Sequence, residues 1–108
     1  MSKSGYVYLL GDWEKEGVYK IGVTTGKIEN RIKKLQTGNG GEIYLVNYYY
    51  SDYPFYVEKW MHLKYYGVRK KGEWFELDLD KILTFKKDCE QIEKNYKEFL
   101  KNKEEFDF

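Results

Sequence analysis

Residues 6–10 and 18–23 are two β-rich runs on either side of a polar stretch bounded by Gly11 and Gly17, and this pairing constrains the fold most. Two apolar runs joined by a glycine-bounded polar segment predict an antiparallel hairpin. A turn centred on Glu14 pairs Leu10 with Val18, Tyr8 with Lys20 and Tyr6 with Gly22. Opposed residues share a face, so Tyr6, Tyr8 and Lys20 point one way. Val7, Leu9, Tyr19, Ile21 and Val23 point the other way and make the core side.

A helix follows from Thr24 or Thr25 to about Leu35, with Ile28, Ile32 and Leu35 as its apolar stripe. Lys27, Arg31 and Lys34 fall together on another side of it. Residues 36–41 form a loop, and residues 43–50 a third strand so uniformly apolar or aromatic that both faces should be covered. Pro54 suits the first turn of a helix capped by Ser51 or Asp52 and running to about Tyr66. That helix carries Val57, Trp60 and Met61 inward, with Glu58 and His62 on a separate face. A basic loop with Arg69, Lys70 and Lys71 and a short strand or turn over residues 73–77 come next. A long helix over about residues 79–103, capped by Asp78 or Asp80, ends the chain. Its stripe of Ile82, Phe85, Cys89, Ile92, Tyr96 and Phe99 packs on the sheet or against a partner. The expectation is one α/β (α+β) domain over residues 1–108, with its core in 5–77. A small central, mainly antiparallel three-stranded sheet is flanked by helices.

Composition narrows the function classes. A chain of 108 residues has room for one domain. A net charge of +1 leaves nucleic-acid binding to a local basic face rather than to the field of the whole molecule. The single cysteine, Cys89, excludes an internal disulfide and suggests a reducing compartment. No apolar run approaches the roughly 20 residues of a bilayer span, and residues 1–4 show no leader-like apolar region. The expected setting is intracellular and soluble, with no membrane: a bacterial cytoplasm or a virus-infected host cell. Lysine far outnumbers arginine, and Tyr, Asn, Glu and Ile are abundant, a usage that fits the A/T-rich genome of a phage, virus or low-GC bacterium. One His and one Cys cannot build a Cys/His zinc site. The serines suggest no Ser-His-Asp arrangement, and the glycines of residues 38–41 lack the lysine and helix start of a nucleotide-binding loop.

Four residues carry chemistry by their order: Tyr8 on one strand, Lys20 in Lys20-Ile21-Gly22 on the next, Arg31 on a helix and Glu58 on a later helix. Each alone has a plain structural role, as a strand aromatic or a solvated charge. Together with Gly5-Tyr6-Val7-Tyr8, Glu58-Lys59-Trp60-Met61-His62 and Gly72-Glu73-Trp74-Phe75, they resemble the GIY-YIG nuclease superfamily. The likeness is to its small phage and bacterial branch, whose second motif reads "KIG". Two positions depart from that pattern, Lys20 where a tyrosine stands and Leu35 where many relatives have a histidine.

The resemblance implies a Mg²⁺-dependent (or Mn²⁺-dependent) endonuclease that hydrolyses DNA phosphodiesters by a one-metal mechanism, with RNA as an alternative substrate. It makes Tyr8 the general base, Arg31 the phosphate clamp and Glu58 the metal ligand. Lys20, directly opposite Tyr8, would favour the phenolate. Lys27, Lys34, Gln36 and Asn39 would form a nucleic-acid-binding rim, with His62 supporting Glu58. Two other readings stand beside it. One is a nucleic-acid-binding module that no longer cuts. The other is an interaction domain, a homodimer or a complex with a protein partner formed through the helix face that includes Ile82 and Phe99.

Overall fold

The computed structural model describes residues 3–106. Its strands are β1 Gly5–Asp12, β2 Lys15–Thr24, β3 Ile43–Ser51, β4 Arg69–Lys71 and β5 Trp74–Glu76. They form one antiparallel sheet of five strands in the order β3-β1-β2-β5-β4. This corrects the three-stranded expectation. The two added strands come from the segment read as a basic loop followed by a short strand or turn, where Gly72 adopts φ +54 between them. Glycine takes that left-handed conformation at no steric cost. Strands of three residues are too short to show alternation in a sequence. They form here because β2 offers β5 a free edge at Val18, Tyr19 and Lys20.

The hairpin register differs from the expected one by two residues. Tyr8 pairs with Gly22, Leu10 with Lys20 and Tyr6 with Thr24. The turn is tight, with Asp12 opposite Lys15, and the pairing then jumps so that Gly11 faces Tyr19. Residues 16–18 are the excess, and Gly17 takes φ +75 within them. Because the shift is even, every side chain keeps its predicted face.

The helices are α1 Ile28–Thr37, α2 Pro54–Lys64, α3 Leu79–Leu83 and α4 Phe85–Phe106, with a short 3-10 turn at Tyr66–Val68. One sheet face buries Val7, Leu9 and Ile21 against Val57 and Met61 of α2 and Phe85 and Cys89 of α4. The other buries Tyr8, Leu10 and Ile43 beneath Ile32 and Leu35 of α1. α1 starts later than expected because β2 continues through Thr24, whose hydroxyl then accepts the Gly26 N–H at 3.2 Å in the turn before the helix.

β3 is an edge strand, and Leu45, Tyr48 and Tyr50 are exposed, so its faces are not both covered. Trp60 is exposed too, against expectation, because the buried line of α2 runs through Pro54, Val57 and Met61. The expected capping of α2 by Ser51 or Asp52 is replaced by an N-cap at Tyr53 that makes no side-chain cap bond.

The C-terminal helix is two helices separated at Thr84, with Asp78 capping the first through the Lys81 N–H. Its apolar stripe is spent on the chain itself. Phe85 and Cys89 are buried in the core, and Ile82 and Ile92 pack against it. Tyr96 stacks on Tyr56 with ring centres 3.7 Å apart. The face read as a dimerisation or partner seam is therefore occupied as far as Tyr96, and of that stripe only Phe99, 59% exposed, is left to solvent. Among the described residues, no helix is long and apolar enough to cross a membrane.

Candidate functional site

Tyr8 stands on β1 facing α1, and its phenol lies over Gly22 on β2, in the space that a Cβ there would fill. Any side chain at position 22 would evict the ring. Above it, Arg31 of α1 donates from Nε to the Tyr8 hydroxyl oxygen at 3.3 Å. Burial raises the Tyr8 pKa, and the Arg31 hydrogen bond and charge oppose that rise without cancelling it. The nearby carboxylates of Glu73 and Glu58 push the same way as burial. At neutral pH the resting phenol keeps its proton.

Lys20 does not sit across from Tyr8, because the two-residue register shift puts Gly22 there. The expectation that Lys20 is the cation opposite the phenol is corrected: Arg31 fills that role. Lys20 instead pairs with Glu73 at 3.1 Å, with its side chain only 14% exposed.

A second group of residues meets where β5 stops covering β2. Beyond the Lys20–Trp74 pair, the Ile21 N–H donates to the Glu73 carbonyl at 3.1 Å. The Ile21 carbonyl lies 2.8 Å from His62 Nε2. A carbonyl only accepts, so His62 donates from Nε2, which leaves Nδ1 as the ring nitrogen open to a cation. One turn earlier on α2, Glu58 comes to the same edge. Ligand-capable atoms of Glu58, His62 and Glu73 all lie within 4.8 Å of one another. Glu58 Oε2 is buried and has no hydrogen-bond partner among the described residues. Burial pushes the Glu58 carboxyl up to about 7, and the Glu73 charge adds to this while Lys20 and Arg31 oppose it. An orphaned carboxylate oxygen beside a second carboxylate is costly in a folded protein and suits a bound cation.

The other predicted residues divide into two sets. Lys27 and Lys34 join Thr24, Asn30 and Arg31 around a cleft of about 300 Å³ beside the Tyr8–Arg31 pair. Gln36 and Asn39 are spent on their own loop. Gln36 accepts the Ile43 N–H at 2.8 Å and donates to the Gly41 carbonyl at 2.9 Å. Asn39 donates to Asp12 at 2.7 Å and to the Gly41 carbonyl at 2.7 Å. Leu35 of α1 packs against the Tyr8, Leu10 and Ile43 cluster.

Glu73 is the site residue that sequence reasoning missed. It appeared only within the Gly72-Glu73-Trp74-Phe75 stretch, and a role for it needs the β4–β5 turn to bring it to Glu58.

The model of the T5orf172 domain family matches residues 5–90. This overturns the assignment to the GIY-YIG superfamily; in this chain the short motifs behind that assignment place Tyr8 over the cross-strand Gly22 beneath α1. The match points to a phage-type nuclease-like or DNA-binding module. Neither the curated proteins nor the solved structures include one that matches this chain.

Proposed function

This chain belongs to the T5orf172 domain family, and from that premise we propose that it hydrolyses DNA phosphodiester bonds with the help of a divalent cation. The observation that carries this reading is the buried Glu58 oxygen, without a partner among the described residues, beside Glu73 and close enough to Tyr8 and Arg31 to couple electrostatically to both. Its donor set fits a hard cation: Glu58 and Glu73 would hold Mg²⁺ or Mn²⁺, with His62 Nδ1 as a further donor. A cation bound there supplies positive charge for the phosphoryl oxygens and makes a water molecule more acidic.

The remaining steps belong to the protein's own side chains. Arg31 keeps its charge at any working pH and clamps a non-bridging phosphate oxygen at the mouth of the cleft that Lys27 and Lys34 also line. Tyr8 receives the proton of the attacking water as a phenolate, with Arg31 as its counter-ion. Lys20 holds Glu73 in place and tempers the repulsion between the two carboxylates. Since the resting phenol is protonated, the cutting rate should rise about tenfold per pH unit above the Glu58 range. Tyr8→Phe should abolish that rise.

A second reading, binding without cutting, is favoured by one observation: Tyr8 is only 1% exposed, which leaves a water molecule little access to its hydroxyl. Supercoiled plasmid incubated with Mg²⁺, Mn²⁺ or EDTA tests both. Cation-dependent nicking that Glu58→Ala and Tyr8→Phe each remove is the expected result. A gel shift without nicking would transfer the assignment to the binding module.

A further inference from the structure

A second cleft, of about 660 Å³, is lined by Lys15, Val18, Lys20, Lys70, Glu73 and Trp74 among others, and not by Arg31. It shares Lys20 and Glu73 with the candidate site, so the two adjoin. Its exposed lining is mostly apolar, yet lysines ring it, with Lys71 adding to the three already named. Among the described lining residues Glu73 is the one carboxylate, and it is paired with Lys20. Lys15 and Lys70 reach Asp12 and Glu76 outside the cleft at 3.8 and 3.7 Å, through long, half-exposed side chains that are free to turn to a phosphate. An aromatic platform inside a ring of cations fits one ligand chemistry well, a nucleobase between phosphates.

We propose that this cleft takes an unpaired base of the substrate strand, stacked on the Trp74 indole with flanking phosphates on the lysines. The inference rests on the phosphodiester-cleaving reading and gives it a substrate class, DNA that is locally single-stranded on one side of the cut. The strand then runs from the Arg31–Lys27–Lys34 cleft, past Tyr8 and Glu58, into the Trp74 cleft. Lys15 now covers the indole, with Nζ 4.3 Å from the ring centre. That contact does not block a base. An exposed cation–π contact is worth about a 2- to 5-fold preference. A base on an aromatic platform is worth about 5- to 150-fold. Lys15 is a long side chain, 46% exposed, and swings out to a phosphate when a base arrives.

Trp74 reports its own occupancy. The chain has three tryptophans. Trp13 and Trp60 are exposed, so Trp13→Phe with Trp60→Phe leaves a folded protein with Trp74 as its sole indole. In EDTA, where cutting is stopped, a short single-stranded oligothymidylate should quench its emission. A blunt duplex of equal length should not. Trp74→Leu should weaken single-strand binding about 5- to 150-fold, leave duplex binding in place, and be rescued by Trp74→Phe.

Single-strand binding with unmoved Trp74 emission would overturn the proposal, as would equal loss of both substrates in Trp74→Leu or no single-strand binding at all. Plasmid nicking by a protein whose Trp74 stays silent would sink this inference alone. Quenching by a protein that never cuts would sink only the hydrolytic reading.

Discussion

Two glutamates reach the interior of this domain from its helices, and their surroundings are opposite. Glu93 on α4 is 5% exposed and fully answered. It accepts from the Ser51 hydroxyl at 2.5 Å, the Asp52 N–H at 3.3 Å and Lys97 at 3.0 Å. Burial pushes its pKa up, but those donors, joined by Tyr49, together hold it below the ordinary value. Glu58 on α2 has an oxygen with no partner among the described residues and a second carboxylate for a neighbour, and its pKa is pushed up to about 7. A buried carboxylate that the fold satisfies ties α4 to the end of β3. One that the fold leaves unsatisfied costs stability, and in a cleft flanked by cations it is kept for a ligand.

The sharpest way to break this contrast is Glu58→Gln. It should lower plasmid nicking by about a thousandfold or more, since a cation's charge is worth several kcal/mol in the transition state. Gel-shift affinity for DNA should survive. If nicking persisted near the wild-type rate, Glu58 would be a structural carboxylate like its counterpart. Next comes Glu93→Ala, which strands the Ser51 and Asp52 donors in the interior and should cost about 3 kcal/mol in urea unfolding. Nicking below the melting range should be unaffected.

pH separates the pair by sign. The depressed Glu93 pKa gives stability that is present above the unfolded carboxylate value near 4.3 and is lost as pH falls through its own lower value. The raised Glu58 pKa works the other way. Relative stability is full below the unfolded value and is lost as pH rises through about 7. In EDTA at pH 8, Glu58→Gln should therefore unfold later than wild type, by about 1–2 kcal/mol after allowance for solvent screening. At pH 4 the two should melt together; a Gln variant that melts earlier at pH 8 would refute the strain. The smallest effect is Lys97→Met, which should cost less than about 1 kcal/mol because Lys97 is 49% exposed and Glu93 keeps its neutral donors. A larger loss, measured by urea unfolding, would mean that the ion pair and not the neutral hydrogen bonds holds α4 to the end of β3.

Much of the scaffold was legible in the residues. Alternation put Tyr8 and Lys20 on one face and Val7, Leu9 and Ile21 on the other, and a register error of two left that intact because strand parity has period 2. Pro54 marked the start of α2, and the spacing of Ile82, Phe85 and Cys89 marked the inner face of the C-terminal segment. Arg31 was expected to clamp a phosphate, and its contact with Tyr8 could not be read from separation along the chain.

The sequence by itself determined which side chains share a face and which segments form the hairpin and the longer helices, because these depend on local periodicity and turn chemistry. Tertiary structure alone decided the rest. The excess residues around Gly17 moved Lys20 away from Tyr8 and handed the phenol to Arg31. The β4–β5 turn brought Glu73 against Glu58, and the free Ile21 carbonyl oriented His62. Each of these depends on where one segment's backbone hydrogen bonds end and another's begin, a long-range competition that no local pattern encodes.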